Sequence, residues 1–383
     1  MPEPTARPVR PAATRGGAVA DVGDVEVVAP NFKRRLSGVT STIVQLIPEQ
    51  AKTLNIATLG PGLPGSLPHL TLRQAAGLLR RPAGRPFRIW HARRNVEMIG
   101  GIVLRDVLHA PLRLVFTSAA QRRHRPFTKW LIRRMNAVIA TSARSGSFLD
   151  VPHDVIMHGI DLAAFHPPLD ERDGFAATGL PGRHAVGCFG RVRHQKGTDL
   201  FVDAMIDLLP ARPDWTAIVT GRVTADNRAF ADGLAARVKA AGLEKRILFL
   251  GEVPDIRAWY RRLTLYVAPS RNEGFGLTPL EAMASRTAVV ASDAGAYAEM
   301  IVPGTGRVVA AGDGAALRDA IRPYLDDPAL AEAEGEAALR HVRENFALVH
   351  EANAIGAVYD RLWASAERQG SAAARPKTAR VSG

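Results

Sequence analysis

APSRNEGFGLTPLEAMASRTAVVASDAGAYAE, residues 268–299, begins where an apolar run from Leu263 to Ala268 ends, and that run reads as a buried strand. A polar turn follows, Pro269-Ser270-Arg271-Asn272-Glu273-Gly274, with Gly276 close behind. Leu277, Leu280 and Ala284 then fall on one helical stripe with Glu281 off it, and Thr287 to Ala291 returns to the sheet. The unit is strand, loop, helix, strand. Its loop meets a helix N-terminus, where unpaired backbone N–H groups and the dipole suit an anion. Glu273 and Glu281 flank that turn, and carboxylates accept strong, directional hydrogen bonds of the kind sugar hydroxyls donate. Taken alone, two carboxylates fit a surface turn followed by an amphipathic helix with an exposed Glu better than a site.

As a whole, the run resembles the donor-sugar signature of retaining glycosyltransferases of family 4, whose GT-B fold places two Rossmann-like α/β domains across a cleft. In that family the first Glu of an E-x7-E pattern contacts the donor sugar and the second contacts the nucleotide ribose. Glu273 and Glu281 match those positions, with Gly274, Phe275, Gly276 and Leu277 between them.

The 383 residues allow two domains, and 46% hydrophobic with 23% charged residues describes an ordinary globular chain. The one cysteine, Cys188, permits no intrachain disulfide and sits in an apolar run as buried filler, which suits a reducing compartment. No apolar stretch approaches the about 18 residues of a membrane span. The Pro- and Arg-rich start lacks the apolar segment of a secretory signal and reads as a disordered tail.

Charge is unevenly distributed. Residues 1–160 hold 23 Lys+Arg against 9 Asp+Glu, and the remainder holds 27 against 28. The basic residues cluster, as Lys33-Arg34-Arg35, Arg80-Arg81, Arg93-Arg94, Arg122-Arg123-Arg125 and Arg133-Arg134. Such a half implies an anionic partner.

Short apolar runs alternate with helical patterns through residues 24–160, which predicts a first parallel α/β domain. Residues 161–183 carry Pro167, Pro168 and Pro181 with acidic residues and read as a linker. A second α/β series covers 184–345. The resemblance implies that a last helix, 346–368, crosses back to the first domain; the ends, 1–23 and 369–383, read as disordered tails.

Further motifs support the resemblance. VGCFGRVRHQKG, residues 186–197, is a strand leading into a Gly-bounded basic loop, and the family's matching loop binds the donor diphosphate, which implies that role for Arg191 and Lys196. Ser37-Gly38-Val39 resembles the family's Gly-rich loop near the diphosphate, although this chain has one glycine, Gly38, where most relatives have two. FLGEVPDIRA resembles the loop that embraces the nucleotide base, through main-chain atoms near Val253. VIMHGIDLAAFHP resembles the segment ending the first domain, with Gly159 and Asp161 as turn-formers. His91 follows a strand and is expected to face the cleft as a catalytic candidate. The family's usual histidine, one strand later, is replaced by Ser118, and His124 lies too far along to take its place. Family glycine and proline stand at Arg286 and Ala288 here, and a Gly-Gly pair is Gly295-Ala296. Arg286 falls at a helix C′ position that favours a left-handed backbone. No Asp-x-Asp and no metal-ligand spacing occurs, so no metal or other cofactor is expected.

These readings imply transfer of a hexose from a nucleotide-diphosphate sugar with retention, catalysed by Glu273, Arg191, Lys196 and His91. The donor would be held by Gly38, Arg191, Lys196, Val253, Glu273 to Leu277 and Glu281. VVAPNFKRRLSGVTSTIVQLIPEQ and VFTSAAQRRHRPFTKWLIRRMNAVIATS look most like lipopolysaccharide core mannosyltransferases, implying GDP-mannose as donor and an anionic lipid A-core glycolipid as acceptor. The expected location is cytoplasmic, peripheral on the inner membrane. A glucosyl- or galactosyltransferase on another glycolipid is the alternative. A basic nucleic-acid-binding protein is the rival from another class, though no helix-turn-helix, RNP or zinc-finger pattern supports it.

Overall fold

The computed structural model describes residues 19–33 and 38–373. Arg34, Arg35, Ser37 and most of both expected tails lie outside these residues. The first sheet contains β1 (Val27–Pro30), β2 (Ile56–Leu59), β3 (His69–Leu70), β4 (Arg88–Ala92), β5 (Leu112–Ser118), β6 (Ala137–Ala140) and β7 (Asp154–Val155). Their spatial order is β3-β2-β1-β4-β5-β6-β7, and every pairing is parallel. The second sheet contains β8 (His184–Phe189), β9 (Trp215–Thr220), β10 (Ile247–Gly251), β11 (Leu265–Ala268), β12 (Ala288–Ser292) and β13 (Gly306–Val309). Its order is β10-β9-β8-β11-β12-β13, again wholly parallel. Both are doubly wound sheets, with the order reversing beside β1 and beside β8. β1, β8, β9, β11 and β12 are almost wholly buried, which is why they read as unbroken apolar runs rather than alternating ones.

The final helix, Leu348–Ala373, belongs to the core of the first domain. Ile355, Val358, Tyr359 and Trp363 are buried against Val27, Ile43, Ile47, Phe87 and Ile89. Trp363 donates its indole N–H to the Phe87 carbonyl at 3.0 Å, and Arg85 stacks on the same ring at 4.2 Å. Burying an aromatic side chain in this way contributes about 2–3 kcal/mol, so the crossing ties the two halves together. Farther out, Glu299 accepts the backbone N–H groups of Ala143 and Arg144 at 2.7 and 2.9 Å, a second bridge between the domains.

Three boundaries differ from the sequence expectation. Residues 19–23 are ordered rather than tail: Val19 bridges to His69, and buried Arg88 donates to the carbonyls of Val22 and Val25 at 2.5 and 3.0 Å. The helix expected to end at 368 continues to Ala373. The expected linker is folded onto the second domain, because Phe165 and Phe175 bury their rings in its core.

Candidate active site

β8 and β11 are neighbours at the point where the second sheet reverses order, so the loops leaving them diverge and open a crevice beyond the strand ends. The two loops are nevertheless stitched together. Gly197 has φ 69°, and a Cβ there would lie 1.9 Å from the Pro269 carbonyl oxygen, so only glycine allows the backbones to touch. Arg271 grips Asp199 with both guanidinium arms at 2.7 Å and donates to the His194 carbonyl at 2.7 Å. This contact brings Lys196 into an ion pair with Glu273. Glu273 also accepts the Gly274 N–H at 3.1 Å, and the Tyr297 hydroxyl lies 3.4 Å away. Gly276, at φ 86°, leaves room that a Cβ would take from the Tyr297 ring.

Eight residues after Glu273, Glu281 lies on the helix Thr278–Ala284 and accepts the Tyr260 hydroxyl at 2.7 Å. Burial raises its carboxyl above the usual range, while the Tyr260 bond and the Lys196 charge pull it back. Glu281 and Thr278 line two cavities at once. The first, about 430 Å³, also takes Lys196, Glu273, Gly274, Phe275, Gly276 and Leu277 from the second domain. Ser41, Thr42, Arg93, Thr117, Thr141 and His158 form its opposite wall. The second, about 640 Å³, lies entirely on the second domain and is lined by Gly190, Arg191, Thr220, Glu252, Val253 and Tyr260 among others. The arrangement is a sugar-sized chamber between the domains, joined at Glu281 to a nucleoside-sized groove.

The structure therefore gathers Lys196, Glu273 through Leu277 and Glu281 at one chamber, and Arg191, Val253 and Glu281 at the other. Arg191 is exposed and lines the second cavity, whereas Lys196 lines the first. Gly38 opens the helix Gly38–Gln50, one turn before Ser41 and Thr42 on the chamber wall. Ala296, at the altered Gly-Gly pair, is buried and donates its N–H to the Phe275 carbonyl at 3.2 Å, supporting the loop after β11 from below.

His91 corrects the expectation. It is 1% exposed and does not line the chamber. Its Nδ1 meets the Tyr359 hydroxyl at 2.6 Å and its Nε2 the Thr117 hydroxyl at 2.7 Å. Burial, and secondarily the Arg93 charge, hold its pKa well below the usual value. With both nitrogens engaged and a neutral ring, His91 braces Thr117 from beneath rather than meeting substrate.

The profile of the glycosyl transferases group 1 family matches residues 183–327, the segment carrying both second-domain loops. The lipopolysaccharide core biosynthesis mannosyltransferase LpcC of Rhizobium leguminosarum bv. viciae is 74% identical over 344 residues, spanning 89% of this chain and 98% of that protein. The chain belongs to the group 1 glycosyltransferases. LpsB of Rhizobium meliloti (strain 1021), also named a lipopolysaccharide core biosynthesis mannosyltransferase, is 58% identical over 350 residues, 90% of this chain and 99% of its own. Anabaena HepE, solved with UDP and glucose, superposes with a TM-score of 0.73 at 18% identity over 88% of this chain and all of its own, a likeness of fold.

On the first-domain wall of this glycosyltransferase, Arg93 stands out in sequence only as part of a basic cluster, and the other chamber-lining side chains do not stand out as site residues. Arg93 follows β4 directly, and burial lowers its pKa from the usual arginine value. It forms no ion pair among the described residues, and the Thr141 hydroxyl, also buried, makes no hydrogen bond among them. Both stand at C-terminal strand ends, the one signal that would have found them.

Proposed function

We propose that this glycosyltransferase transfers mannose from GDP-mannose to a lipopolysaccharide core acceptor, with retention of anomeric configuration. The observation that carries the reading is the identity with LpcC, which spans both walls of the chamber, the acceptor side included. The chemistry fits the geometry. Lys196 stabilises the negative charge that grows as the diphosphate leaves, assisted by Arg191 from the adjoining groove. Glu273 holds the sugar hydroxyls, and Glu281, at the junction, holds the ribose. The acceptor hydroxyl enters from the Arg93 and Thr117 wall and attacks the face the leaving group vacates, the departing phosphate taking its proton. No step calls for a metal ion, and among the described residues no group of three His, Cys, Asp or Glu side chains is arranged to hold one.

A peripheral seat on an anionic membrane belongs to the same proposal. No helix among the described residues is long and apolar enough to cross a membrane. Instead Val96, Ile99, Val103 and Val107 form an exposed apolar stripe along the helical segment from Asn95. The neighbouring helix Pro126–Arg133 exposes Phe127 and Trp130 as a stacked pair 6.0 Å apart. Asn95 and Thr128 join the two by a side-chain hydrogen bond of 2.8 Å. Exposed Arg122, Arg123 and Arg125 connect this face to Ala119 on the chamber wall. Apolar side chains fringed by arginine suit the boundary of an anionic leaflet.

A thermal-shift screen of nucleotide sugars tests the donor. At about 100-fold excess over Kd, GDP-mannose should raise Tm by about 3 °C, and UDP-sugars by much less. Selective stabilisation by UDP-glucose or UDP-galactose would favour the glucosyl or galactosyl alternative.

A further inference from the structure

His158 is the one histidine among the described residues that lines the chamber between the domains. Ser118, where the family resemblance implied a histidine, offers nothing comparable: it is 2% exposed, and its hydroxyl faces His124 Nε2 at 3.3 Å, outside the chamber. His158 is held from two sides. Its Nδ1–H donates to Glu351 Oε1 at 2.7 Å, and the other oxygen of that carboxylate accepts the Gly159 N–H at 2.8 Å. The ring edge rests on Phe275 of the donor loop, centroids 4.8 Å apart and planes at 78°.

Glu351 is itself fixed. Its side chain is 4% exposed, and it sits on the crossing helix Leu348–Ala373 that packs into the first-domain core. Gly159 lies so close to that helix that a Cβ would come within 2.7 Å of the Leu348 Cα. A carboxylate on Nδ1–H sets the tautomer and aims the other nitrogen. That nitrogen, Nε2, has no hydrogen-bond partner among the described residues, and the side chain's remaining exposure of 12% opens on the chamber. The charged groups around the same space are Arg93, Lys196, Glu273 and Glu281.

We infer that His158, oriented by Glu351, is a substrate-contacting residue whose Nε2 accepts a hydrogen bond from a sugar hydroxyl in the chamber. Glu351 is its positioning residue. The inference rests on the glycosyltransferase reading and holds for whichever nucleotide sugar the enzyme uses. An acceptor nitrogen fixed before substrate arrives costs no reorganisation during transfer.

The experiment compares wild type with His158→Gln, His158→Ala and Glu351→Gln, using the donor that wild type turns over. Each protein is followed by kcat and KM, by calorimetric titration with GDP and by Tm. An inactive wild type would count against the proposed donor and acceptor; the variant comparison is made on the active enzyme. His158→Ala should lower kcat about tenfold, the value of one buried hydrogen bond, with GDP affinity unchanged. His158→Gln, whose side-chain amide can still accept a hydrogen bond, should keep more of kcat than His158→Ala. Glu351→Gln should lower kcat less than His158→Ala, again with GDP affinity unchanged. Wild-type kcat in both His158 variants, or losses that simply follow falling Tm or GDP affinity, would overturn the inference.

Discussion

Lys196, on the loop after β8, and Glu273, on the loop after β11, form an ion pair across 77 residues of sequence. Neither is more than about a fifth exposed, with side chains 21% and 18% accessible. In the proposed reaction this pair must part, the ammonium turning to the diphosphate and the carboxylate to the sugar.

Lys196→Ala should therefore cost catalysis more than binding. The charge it meets grows as the bond breaks, so kcat should fall about 100-fold, with a much smaller rise in donor KM. Arg191→Ala should have a milder effect, since Arg191 is exposed in the adjoining groove. Steady-state kinetics on both variants checks this, and an unchanged kcat for Lys196→Ala would remove the residue from the mechanism.

Glu281 should show a conflict between stability and function. Burial raises its folded pKa above the ordinary 4.5, so the folded state binds the proton more tightly than the unfolded chain does. That contribution is fully present below about pH 4.5 and declines as pH rises through the folded value. Glu281→Gln should thus keep or raise Tm at pH 7.5, while GDP affinity drops at least about tenfold. Calorimetry at pH 5 and 7.5, together with GDP titration, reads both quantities.

If the proposed membrane seat is correct, its basic and apolar parts should contribute separately to binding. Reversing Arg122, Arg123 and Arg125 to Glu should weaken binding to anionic liposomes most at low salt, each arginine being worth about 1 kcal/mol near the surface. Replacing Phe127 and Trp130 with Ala should weaken it at every salt concentration. GDP binding should survive both changes. Cosedimentation equal to wild type for both variants at low ionic strength would refute the docking face.

Arg286 carries a strain that substitution can relieve. It is a non-glycine residue at φ 66°, just past the helix Thr278–Ala284. Its N–H donates to Met283 and that of Thr287 to Ala282, at 3.1 and 3.0 Å, the paired bonds of a left-handed helix end. Arg286→Gly should stabilise the protein by about 0.5–1 kcal/mol, after loss of the exposed contact with Glu336 at 3.2 Å. Urea denaturation with a lower midpoint would show that this contact outweighs the strain.

Much of the second domain was legible because its motif is local. Glu273 to Glu281 is one continuous strand–loop–helix passage, and the left-handed Arg286 followed from where that helix had to end. The first-domain wall was not legible, since Ser41 comes from the first turn of a helix, and Arg93, Thr117, Thr141 and His158 from at or just beyond four different strand ends, which only the folded sheet brings together. His91 misled for the same reason. Its place after an apolar run suggested the cleft, but Tyr359, 268 residues away on the crossing helix, claims the ring. The linker misled through composition: its prolines and acids obscured Phe165 and Phe175, whose burial decides where it lies.

The central claim is mannosyl transfer from GDP-mannose across the inter-domain chamber, with retention and without metal. The most direct measurement is NMR of the product formed from GDP-mannose and lipopolysaccharide core acceptor in excess chelator. The account predicts stoichiometric GDP release and a new mannosyl linkage with the donor's own α configuration. An inverted β linkage, transfer only after Mg²⁺ or Mn²⁺ is restored, or turnover confined to UDP-sugars would contradict it.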